Sequence, residues 1–405
     1  MVGWSDVMTR VLWGLKIEIG PFEMKPLCES VEKVISNDDL LTLILLRVPA
    51  RSLLQLKCVS KHWLSLISAR LFSILRNAIP LRASALFLQL PPSFYGVPCE
   101  INFVPLDDTT CIASSPFRNL TFANDPGNIS RIRIVQSCGG LLLCSSCPFC
   151  TSISEFTLYV YNPTTNYLVT LPKHWPAYYT SIFAFDPSKS PHFKVFVCAS
   201  PPELSTDQGR FQIYSSETGS WKASGHAFNF TSRADKLAWR NGVYFNGCIH
   251  WIGKLEYGCS YFNLDEERLH TMPRPPVGQI FDVGVSENHL HVIEVHSHDY
   301  TVQVFEMKND YSGWIVKYKI DLSLVCQVFP EMTRSRHLFK ILSLVRREIC
   351  REDSFLVFKI PGKVIRYNLV DKSFKPIWDI PASDPLTRPR GDYKAYQYFE
   401  SLSYV

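Results

Sequence analysis

The sequence predicts a small all-α unit of three helices followed by a large all-β propeller of about six blades. Three observations support this fold class. Residues 36–70 carry apolar side chains at helical spacing between capping residues. After residue 80, short β-branched and aromatic runs alternate with turn residues, and no long helical period follows. These runs also recur at a regular distance along the chain.

Composition limits the classes of protein that this chain can be. Of its 405 residues, 46% are hydrophobic, which is enough for a packed core and excludes global disorder. The net charge of +5 is small and the basic residues are scattered, so no nucleic-acid partner is expected. No apolar stretch reaches the roughly 18 residues of a membrane helix, so the chain is predicted to be soluble and to have no membrane partner.

Cysteine usage and the N-terminus predict a reducing compartment, the cytoplasm and/or the nucleus. Thirteen cysteines in a long chain do not form the regular framework of a secreted scaffold. The only apolar run before Gly20 is interrupted by Lys16 and Glu18, so no signal peptide is predicted. Residues 1–33 have no sustained period and are predicted to form a loosely ordered extension.

Residues 34–75 are predicted to be the helical unit. Asn37 is placed to cap the first helix, with acidic residues directly after it. The second helix is predicted to begin at a Ser52 cap and to end at Lys57. The third is predicted to begin at Ser60 and to end at Ile67.

The first helix carries apolar side chains on nearly every face. Between Leu40 and Leu46 only Thr42 is polar. Such a helix needs cover all round, but a unit of about 40 residues is too small to enclose one of its own helices. The missing cover must come from the propeller or from another protein, which predicts a partner surface near the N-terminus.

Residues 80–405 are predicted to be the propeller. Five strand runs each lead into a turn and a second strand, with turns starting at Asn162, Ser215, Asn263, Met307 and Asn368. The starts lie 53, 48, 44 and 61 residues apart. A repeat of about 40–50 residues built from hairpins is typical of propeller blades. Radial closure also explains how so many strands avoid exposed edges.

The helical residues resemble an F-box. The resemblance rests on residues 37–54, NDDLLTLILLRVPARSLL, and residues 57–63, KCVSKHW. It is strongest to plant F-box proteins that carry a C-terminal F-box-associated, kelch-like β-propeller. The run from Gly139 to Cys144, followed by Tyr161 to Thr165, resembles the opening blade of that domain. The family usually has Leu-Pro where this chain has Ile35-Ser36, which leaves that loop without its rigid proline.

The resemblance implies the substrate-recognition subunit of an SCF-type cullin-RING ubiquitin ligase. Its F-box would dock to a Skp-family adaptor, and its propeller would hold an unknown target protein for ubiquitylation. The chain itself would be a non-catalytic subunit. Carried over from the family, the residues implied to pack the F-box and bind the adaptor are Ile35, Leu40, Ile44, Pro49, Leu53, Val59 and Trp63.

Two other functions remain open at the level of sequence. The chain could be an adaptor-bound scaffold without ligase activity, or a propeller lectin or enzyme with a ligand in its channel. The substrate itself is not predicted, because recognition loops diverge without changing a fold. Three segments are candidate recognition loops: Pro172 to Tyr179, Ser200 to Arg210, and Tyr311 to Gly313.

The sequence predicts no catalytic residues, no cofactor and no metal. The chain has no Gly-x-Ser-x-Gly elbow, phosphate-binding loop or His-Glu-x-x-His pair. Cys138, Cys144, Cys147 and Cys150 fall within 13 residues with no second ligand pair nearby. That spacing favours a core cysteine and a cysteine-bearing loop over zinc.

Two further clusters are expected to be solvated. The histidines His289, His291, His296 and His298 flank one hairpin, where a metal site would need carboxylates at fixed spacing. The most basic stretch is predicted to be a solvated blade edge, with a substrate-facing patch for acidic partners as the alternative. It contains Arg334, Arg336, His337, Lys340, Arg346, Arg347 and Arg351.

Overall fold

The computed structural model divides the chain into two compact units, Met1–Arg76 and Asn77–Val405. It describes residues 33–89, 101–107, 131–147, 156–174, 180–199, 208–229, 242–253, 259–278, 280–296, 300–334, 339–348, 353–380 and 393–405. The predicted extension over residues 1–33 therefore lies almost wholly outside the described residues. None of the helices in the described ranges is long and apolar enough to cross a bilayer.

The first unit contains the three predicted helices and a fourth that the sequence analysis did not predict. Their bounds are Asp38–Leu45 (α1), Ala50–Leu56 (α2), Lys61–Ser68 (α3) and Arg70–Asn77 (α4). Two predicted caps are confirmed: the side chains of Asn37 and Ser60 accept hydrogen bonds from the backbone N–H groups of Leu40 and Trp63. These bonds satisfy amide donors that the first helical turn leaves without partners.

The predicted Ser52 cap is wrong, because α2 begins two residues earlier, at Ala50. Pro49 precedes it with φ at −53° and no side-chain capping bond. A proline ring already holds φ near the helical value, so it can start a helix without a hydroxyl cap. Leu53, Leu56 and the α3 residue Trp63 are buried in the core of the unit.

The second unit is a six-bladed propeller, as predicted. Blade 1 contains β1 (Ala83–Gln89), β2 (Ile101–Pro105) and β23 (Lys394–Phe399). Blade 2 contains β3 (Arg131–Cys138), β4 (Leu141–Cys147), β5 (Leu158–Asn162) and β6 (Tyr167–Thr170). Blade 3 contains β7 (Thr180–Ala184), β8 (Lys194–Ala199), β9 (Gln208–Ser215) and β10 (Ser220–Asn229).

The other three blades each have four antiparallel strands. Blade 4 contains β11 (Val243–Phe245), β12 (Cys248–Trp251), β13 (Cys259–Asn263) and β14 (Arg268–Met272). Blade 5 contains β15 (Ile280–Ser286), β16 (His289–His296), β17 (Thr301–Met307) and β18 (Trp314–Asp321). Two short helices, α5 (Ser323–Val328) and α6 (Glu331–Arg334), lead to blade 6, which contains β19 (Lys340–Val345), β20 (Phe355–Ile360), β21 (Lys363–Asn368) and β22 (Phe374–Asp379).

Six inner strands form a closed ring around the propeller axis. In ring order they are β3, β7, β11, β15, β19 and β23, and each contacts the next, with β23 contacting β3. Blade 1 closes the ring because its inner strand comes from the C-terminus and its next two strands come from near the start of the propeller. The propeller therefore needs both ends of its sequence to close.

Three of the five predicted turns between the outer strands share one hydrogen-bonding pattern. The side-chain oxygens of Asn162, Asn263 and Asn368 each accept bonds from the backbone N–H groups two and three residues later. Glu267 and Lys372, the fifth residues of their turns, have left-handed φ values of 51° and 60°. The asparagine side chain thus replaces a backbone partner and starts the tight turn.

Tryptophans that follow the other two predicted turns, those starting at Ser215 and Met307, join neighbouring blades. The indole Nε1 of Trp221 in blade 3 donates to the carbonyl oxygen of Pro172, which follows blade 2, at 2.9 Å. Trp314 in blade 5 makes the same 2.9 Å bond to Pro273, which follows blade 4. The tryptophan after a turn and the proline after the last strand of the preceding blade therefore form a hydrogen bond between neighbouring blades.

The C-terminal tail fastens the seam between blades 1 and 2. The Nδ2 of Asn162 donates to the carbonyl oxygens of Ser401 and Ser403, at 3.0 and 2.8 Å. The N–H of Ser401 donates to Oγ1 of Thr164 at 3.1 Å. Gly140 has a φ of +86°, and a Cβ there would lie 2.4 Å from Cβ of Ser401. Glycine is therefore required where the tail crosses blade 2.

Replacing Asn162 with Ala should destabilise the propeller much more than replacing Asn368 with Ala. Both changes remove the two turn bonds. Asn162→Ala also removes a buried bond to Ser401 and a half-buried bond to Ser403, whereas Asn368→Ala also removes one exposed bond to Asp353. We expect a cost of about 3 kcal/mol for Asn162→Ala and about 1 kcal/mol for Asn368→Ala. Urea denaturation measures both. Equal losses would show that the tail does not hold the seam.

Candidate protein-interaction surfaces

The helical unit exposes many aliphatic side chains for its size. Sixteen large hydrophobic side chains of the described residues are exposed, and six of them lie between residues 38 and 77. Such a concentration of apolar surface is typical of a protein interaction site. These six residues, called the aliphatic set below, are Leu40, Leu43, Leu64, Leu71, Ile74 and Leu75, with exposed fractions of 39–64%.

Helix α1 divides its leucines between the core and the surface. Leu41 and Leu45 are 2% and 1% exposed, whereas Leu40 and Leu43 are 46% and 51% exposed. The exposed pair lies three residues apart and therefore on one side of the helix. The Asn37 cap fixes the first turn, so this apolar side is held in a defined position. The helical unit therefore does not cover α1 by itself, as predicted.

The residues predicted to bind the adaptor have different environments. Leu40 and Pro49 are exposed, and Ile35, Ile44 and Val59 are half-buried. Leu53 and Trp63 lie in the core, at 0% and 4% exposure, so little of either side chain is accessible to a partner. Their role in binding stays a prediction.

Five residues of the aliphatic set were not among the residues predicted to bind the adaptor: Leu43, Leu64, Leu71, Ile74 and Leu75. Leu43 lies one helical turn after Leu40, so the i, i+3 spacing was a signal that could have identified it. Leu64 follows the buried Trp63 on α3 and is 46% exposed. Because α3 has only eight residues, its sequence alone does not show which side of the helix is buried.

Hydrogen bonds close the turn at Ile35-Ser36, where the family usually has a proline. The N–H of Asn37 donates to the carbonyl oxygen of Val34 at 3.3 Å. The hydroxyl of Ser36 donates to the carbonyl oxygen of Lys33, also at 3.3 Å. These bonds supply part of the order that a proline ring would give to the turn before α1.

The propeller has two different ends. In blades 2–6 the strands follow chain order, so first-to-second and third-to-fourth connections share one end, called the short-turn end. Second-to-third connections and those between blades share the other end, called the long-loop end. After β3, the three longest connections are residues 230–242, 322–339 and 380–393, and all belong to the long-loop end.

This topology separates the three predicted recognition loops. Pro172 to Tyr179 and Ser200 to Arg210 leave from the long-loop end, although residues 175–179 and 200–207 lie outside the described ranges. Tyr311 to Gly313 lies at the short-turn end. The Tyr311 hydroxyl is 2.8 Å from Nε2 of His250, and its ring stacks on those of His250 and Tyr261. Tyr311 therefore packs blade 5 against blade 4.

Arg347, in the stretch predicted to be a solvated edge, is buried, so that prediction is wrong for this residue. Its side chain is 4% exposed and forms a two-bonded ion pair with Asp107, at 2.9 and 2.6 Å. Arg366 and Arg82 lie 3.1 and 3.3 Å from the same carboxylate. Burial raises the pKa of Asp107, but the hydrogen bonds and charges of Arg347 and its neighbours outweigh it and hold the pKa below its usual value.

Arg346 is buried as well, and it contacts the opposite neighbouring blade. Its guanidinium lies 2.8 Å from Glu306 of blade 5 and 2.8 Å from Glu348. Burial raises the pKa of Glu348, but hydrogen bonds from Arg346 and Tyr318 lower it to about 2. Arg346 and Arg347 thus join blade 6 to blades 5 and 1. The two residues are consecutive, directly after β19, and their side chains point towards opposite neighbouring blades. Their spacing in the sequence did not show that both are buried.

The histidine cluster is not a uniformly solvated hairpin. His291 is 3% exposed, and burial lowers its pKa to about 4, so the ring is neutral near pH 7. His289 pairs with Glu306 at 2.8 Å, and His296 lies 3.3 Å from Glu294. His298 lies outside the described residues. Within the described ranges, no three His, Cys, Asp or Glu side chains are grouped to hold a metal ion.

The cysteines of the predicted core strand lie in an apolar environment. Cys144 is fully buried in a cluster with Ile134 and Leu142. The thiol of Cys138 donates to the carbonyl oxygen of Phe185, and burial raises its pKa to about 12. Protonated thiols of this kind are poor metal ligands. The side chain of Cys147 and the whole of Cys150 lie outside the part of the chain that the structure describes.

Comparisons with known proteins agree with this organisation. The family model described as the F-box associated beta propeller domain matches residues 99–357, and the F-box domain model matches residues 37–74. The F-box protein At5g07610 of Arabidopsis thaliana is 32% identical over 376 residues, which cover 85% of this chain and 86% of that protein. The putative F-box protein At1g32420 of Arabidopsis thaliana is 28% identical over 233 residues, covering 55% and 68%.

Removing the charge of Asp107 should destabilise the propeller strongly. Asp107→Asn leaves the buried Arg347 without its carboxylate, which we expect to cost about 3–5 kcal/mol in urea denaturation. Glu267→Gln is the control, because it removes the partner of Lys222, whose side chain is 73% exposed. That change should cost about 1 kcal/mol or less. A similar small loss for both variants would contradict a structural role for the buried pair.

Proposed function

This chain belongs to the plant F-box proteins that carry an F-box-associated β-propeller, and on that premise we propose that it is the substrate-recognition subunit of an SCF-type cullin-RING ubiquitin ligase. An F-box followed by a propeller is the organisation of a substrate receptor. In this function the F-box binds a Skp-family adaptor and the propeller binds a target protein. We also propose that the complex lies in the cytoplasm or the nucleus.

The observation that supports the proposal most directly is the exposure of the aliphatic set of the helical unit. Leu40 and Leu43 leave about half of their side chains exposed on a helix whose other side is packed. Covering each exposed half would contribute about 1–2 kcal/mol, at roughly 25 cal/mol per Å² of apolar surface. A partner that covered all six side chains would gain about 6–12 kcal/mol from this burial before the entropy cost of binding. The half-buried Ile44 and exposed Pro49 would extend the contact.

The proposed contribution of the chain to ubiquitylation is proximity. A receptor that holds a target on the same assembly as the charged ubiquitin carrier raises the effective concentration of the target's lysines. This role requires rigid elements and no bond-making residue in the chain. The closed ring of inner strands and the buried pairs of Arg346 and Arg347 supply that rigidity in the propeller.

We place substrate binding at the long-loop end of the propeller. The short-turn end contains the asparagine-capped turns and the buried Asp107–Arg347 pair, so its residues mainly hold the blades together. The long-loop end has the longer connections, which can vary in sequence without changing the blades. Two of the three predicted recognition loops leave from this end.

Charge placed in the aliphatic set should abolish adaptor binding. For the double variant Leu40→Asp with Leu43→Asp, we expect the Kd for a Skp-family adaptor to rise by about 100-fold or more, because both carboxylates would be desolvated in the contact. Titration calorimetry with the purified adaptor measures this. Leu269→Asp is the matched control, since Leu269 is also 46% exposed but lies on blade 4.

Circular dichroism should show the same helix content in the double variant as in wild type, since both leucines face solvent. Adaptor binding that is unchanged in the double variant, or equally weakened by Leu269→Asp, would contradict the proposed docking surface. Absence of binding by folded wild-type protein would contradict the proposed function.

A further inference from the structure

The six inner strands of the propeller carry an uneven set of charges. They contain four basic residues and one acidic residue, namely Arg131, Arg133, Lys340, Lys394 and Asp282. All four basic residues belong to three strands, β3, β19 and β23. These strands are consecutive in the ring, because β19 contacts β23 and β23 contacts β3. One half of the channel wall is therefore basic, and the other half has no basic residue on its inner strands.

The basic residues are placed towards the long-loop end. Each inner strand enters from that end, since the connections between blades lie there. Lys340 and Lys394 are the first residues of β19 and β23, and they pair with Lys359 and Gln89 at the ends of β20 and β1. Arg133 is the third residue of β3. The positive charge is thus concentrated at the channel mouth and not along its full length.

Arg133 and Lys394 are both exposed at this mouth. Nε of Arg133 donates to the buried Oγ of Ser145, on the adjacent strand, at 2.8 Å. This bond fixes the guanidinium while the residue stays open to solvent. A positioned, exposed guanidinium is well suited to bind a carboxylate, because it offers parallel N–H donors.

An exposed aromatic ring lies beside the basic half. Phe281 is 40% exposed on β15, the inner strand next to β19. It is the residue skipped by the ladder between Ile280 and Asp282, so it forms a β-bulge. Bulges turn a side chain out of the regular alternation and often occur next to binding sites.

Asp282, the single acid of the inner strands, offsets little of this charge near neutral pH. Burial raises its pKa to about 7, and a hydrogen bond from the backbone and the nearby Lys340 oppose the rise only in part. A large fraction of Asp282 is therefore protonated near pH 7.

We propose that the channel mouth at the long-loop end binds an acidic segment, rich in Asp and Glu, of the protein that this receptor recognises. The segment's carboxylates would contact Arg133, Lys340 and Lys394, and an apolar side chain would pack on Phe281. The inference rests on the proposed function for the identity of the ligand as a substrate. A nucleic acid fits less well, since stable phosphate-backbone binding usually involves about six to ten contacts across a wider basic surface.

The test uses the full chain and a fluorescein-labelled peptide, Glu-Glu-Glu-Leu-Phe-Glu-Glu-Glu. A peptide with Gln in place of every Glu is the ligand control. We expect the acidic peptide to bind at least tenfold more tightly than the Gln peptide in fluorescence anisotropy. The affinity should fall between about 0.05 M and 0.5 M salt, where charge screening increases.

The double variant Arg133→Glu with Lys394→Glu should bind the acidic peptide at least about tenfold more weakly than wild type. The matched control is Lys308→Glu with Lys372→Glu, which makes the same change in charge at exposed positions of the short-turn end. This control should bind as wild type does, apart from a small loss from the altered net charge. Phe281→Ala should weaken both peptides equally.

Three results would overturn the inference. They are equal binding of the acidic and Gln peptides, equal loss in the two double variants, and at least tenfold tighter binding of a peptide with phosphoserine at each Glu position. The third would assign the mouth to phosphate. Adaptor binding of Arg133→Glu with Lys394→Glu is measured in parallel. If this variant loses peptide binding but keeps adaptor binding, the defect lies in the channel. If the wild-type chain binds the peptide but not the adaptor, the proposed function is contradicted and the inference about the channel is not.

Discussion

Closure of the inner-strand ring is the constraint on which the rest of the propeller depends. The last strand of the chain, β23, is the inner strand of blade 1, and β1 and β2 pair outward from it. Closure gives each inner strand a neighbour on both sides in the ring. However, β23 and β1 come from opposite ends of the propeller sequence, so non-covalent contacts alone hold the seam between them. Asn162 binds the tail beyond β23 on one side of blade 1, and Asp107 pairs with Arg347 of blade 6 on the other. Both contacts join residues more than 200 positions apart, so each links the two ends of the propeller sequence.

The helical unit has a different constraint: it is too small to bury all of its own apolar residues. Leu41, Leu45, Leu53 and Trp63 fill its core, and the leucines left over remain on its surface. A domain of this size buries a smaller fraction of its surface than a large one does, so the exposed leucines on α1 add little to its internal packing. Their exposure is most simply explained by a partner that covers them, in keeping with the membership of the chain in the F-box family.

Local chemistry predicted much of this fold, whereas long-range burial was harder to predict. Asn37 and Ser60 were recognised as caps and Asn162, Asn263 and Asn368 as turn residues, because each acts on backbone groups within three residues. The buried Arg346, Arg347 and His291 were missed, because their partners lie on other blades or on a neighbouring strand. The basic half of the channel mouth was missed for the same reason: only the ring order brings Lys340, Lys394 and Arg133 to adjacent strands.

We propose that the exposed side of the helical unit is the surface that binds the Skp-family adaptor. Hydrogen–deuterium exchange of the full chain, with and without a saturating Skp-family adaptor, tests it directly. We expect slower exchange of the amides in α1 and α3 on binding, with exchange in the inner strands of the propeller unchanged. Binding that left α1 and α3 unprotected, or that protected blade residues instead, would contradict the claim and require a different docking surface.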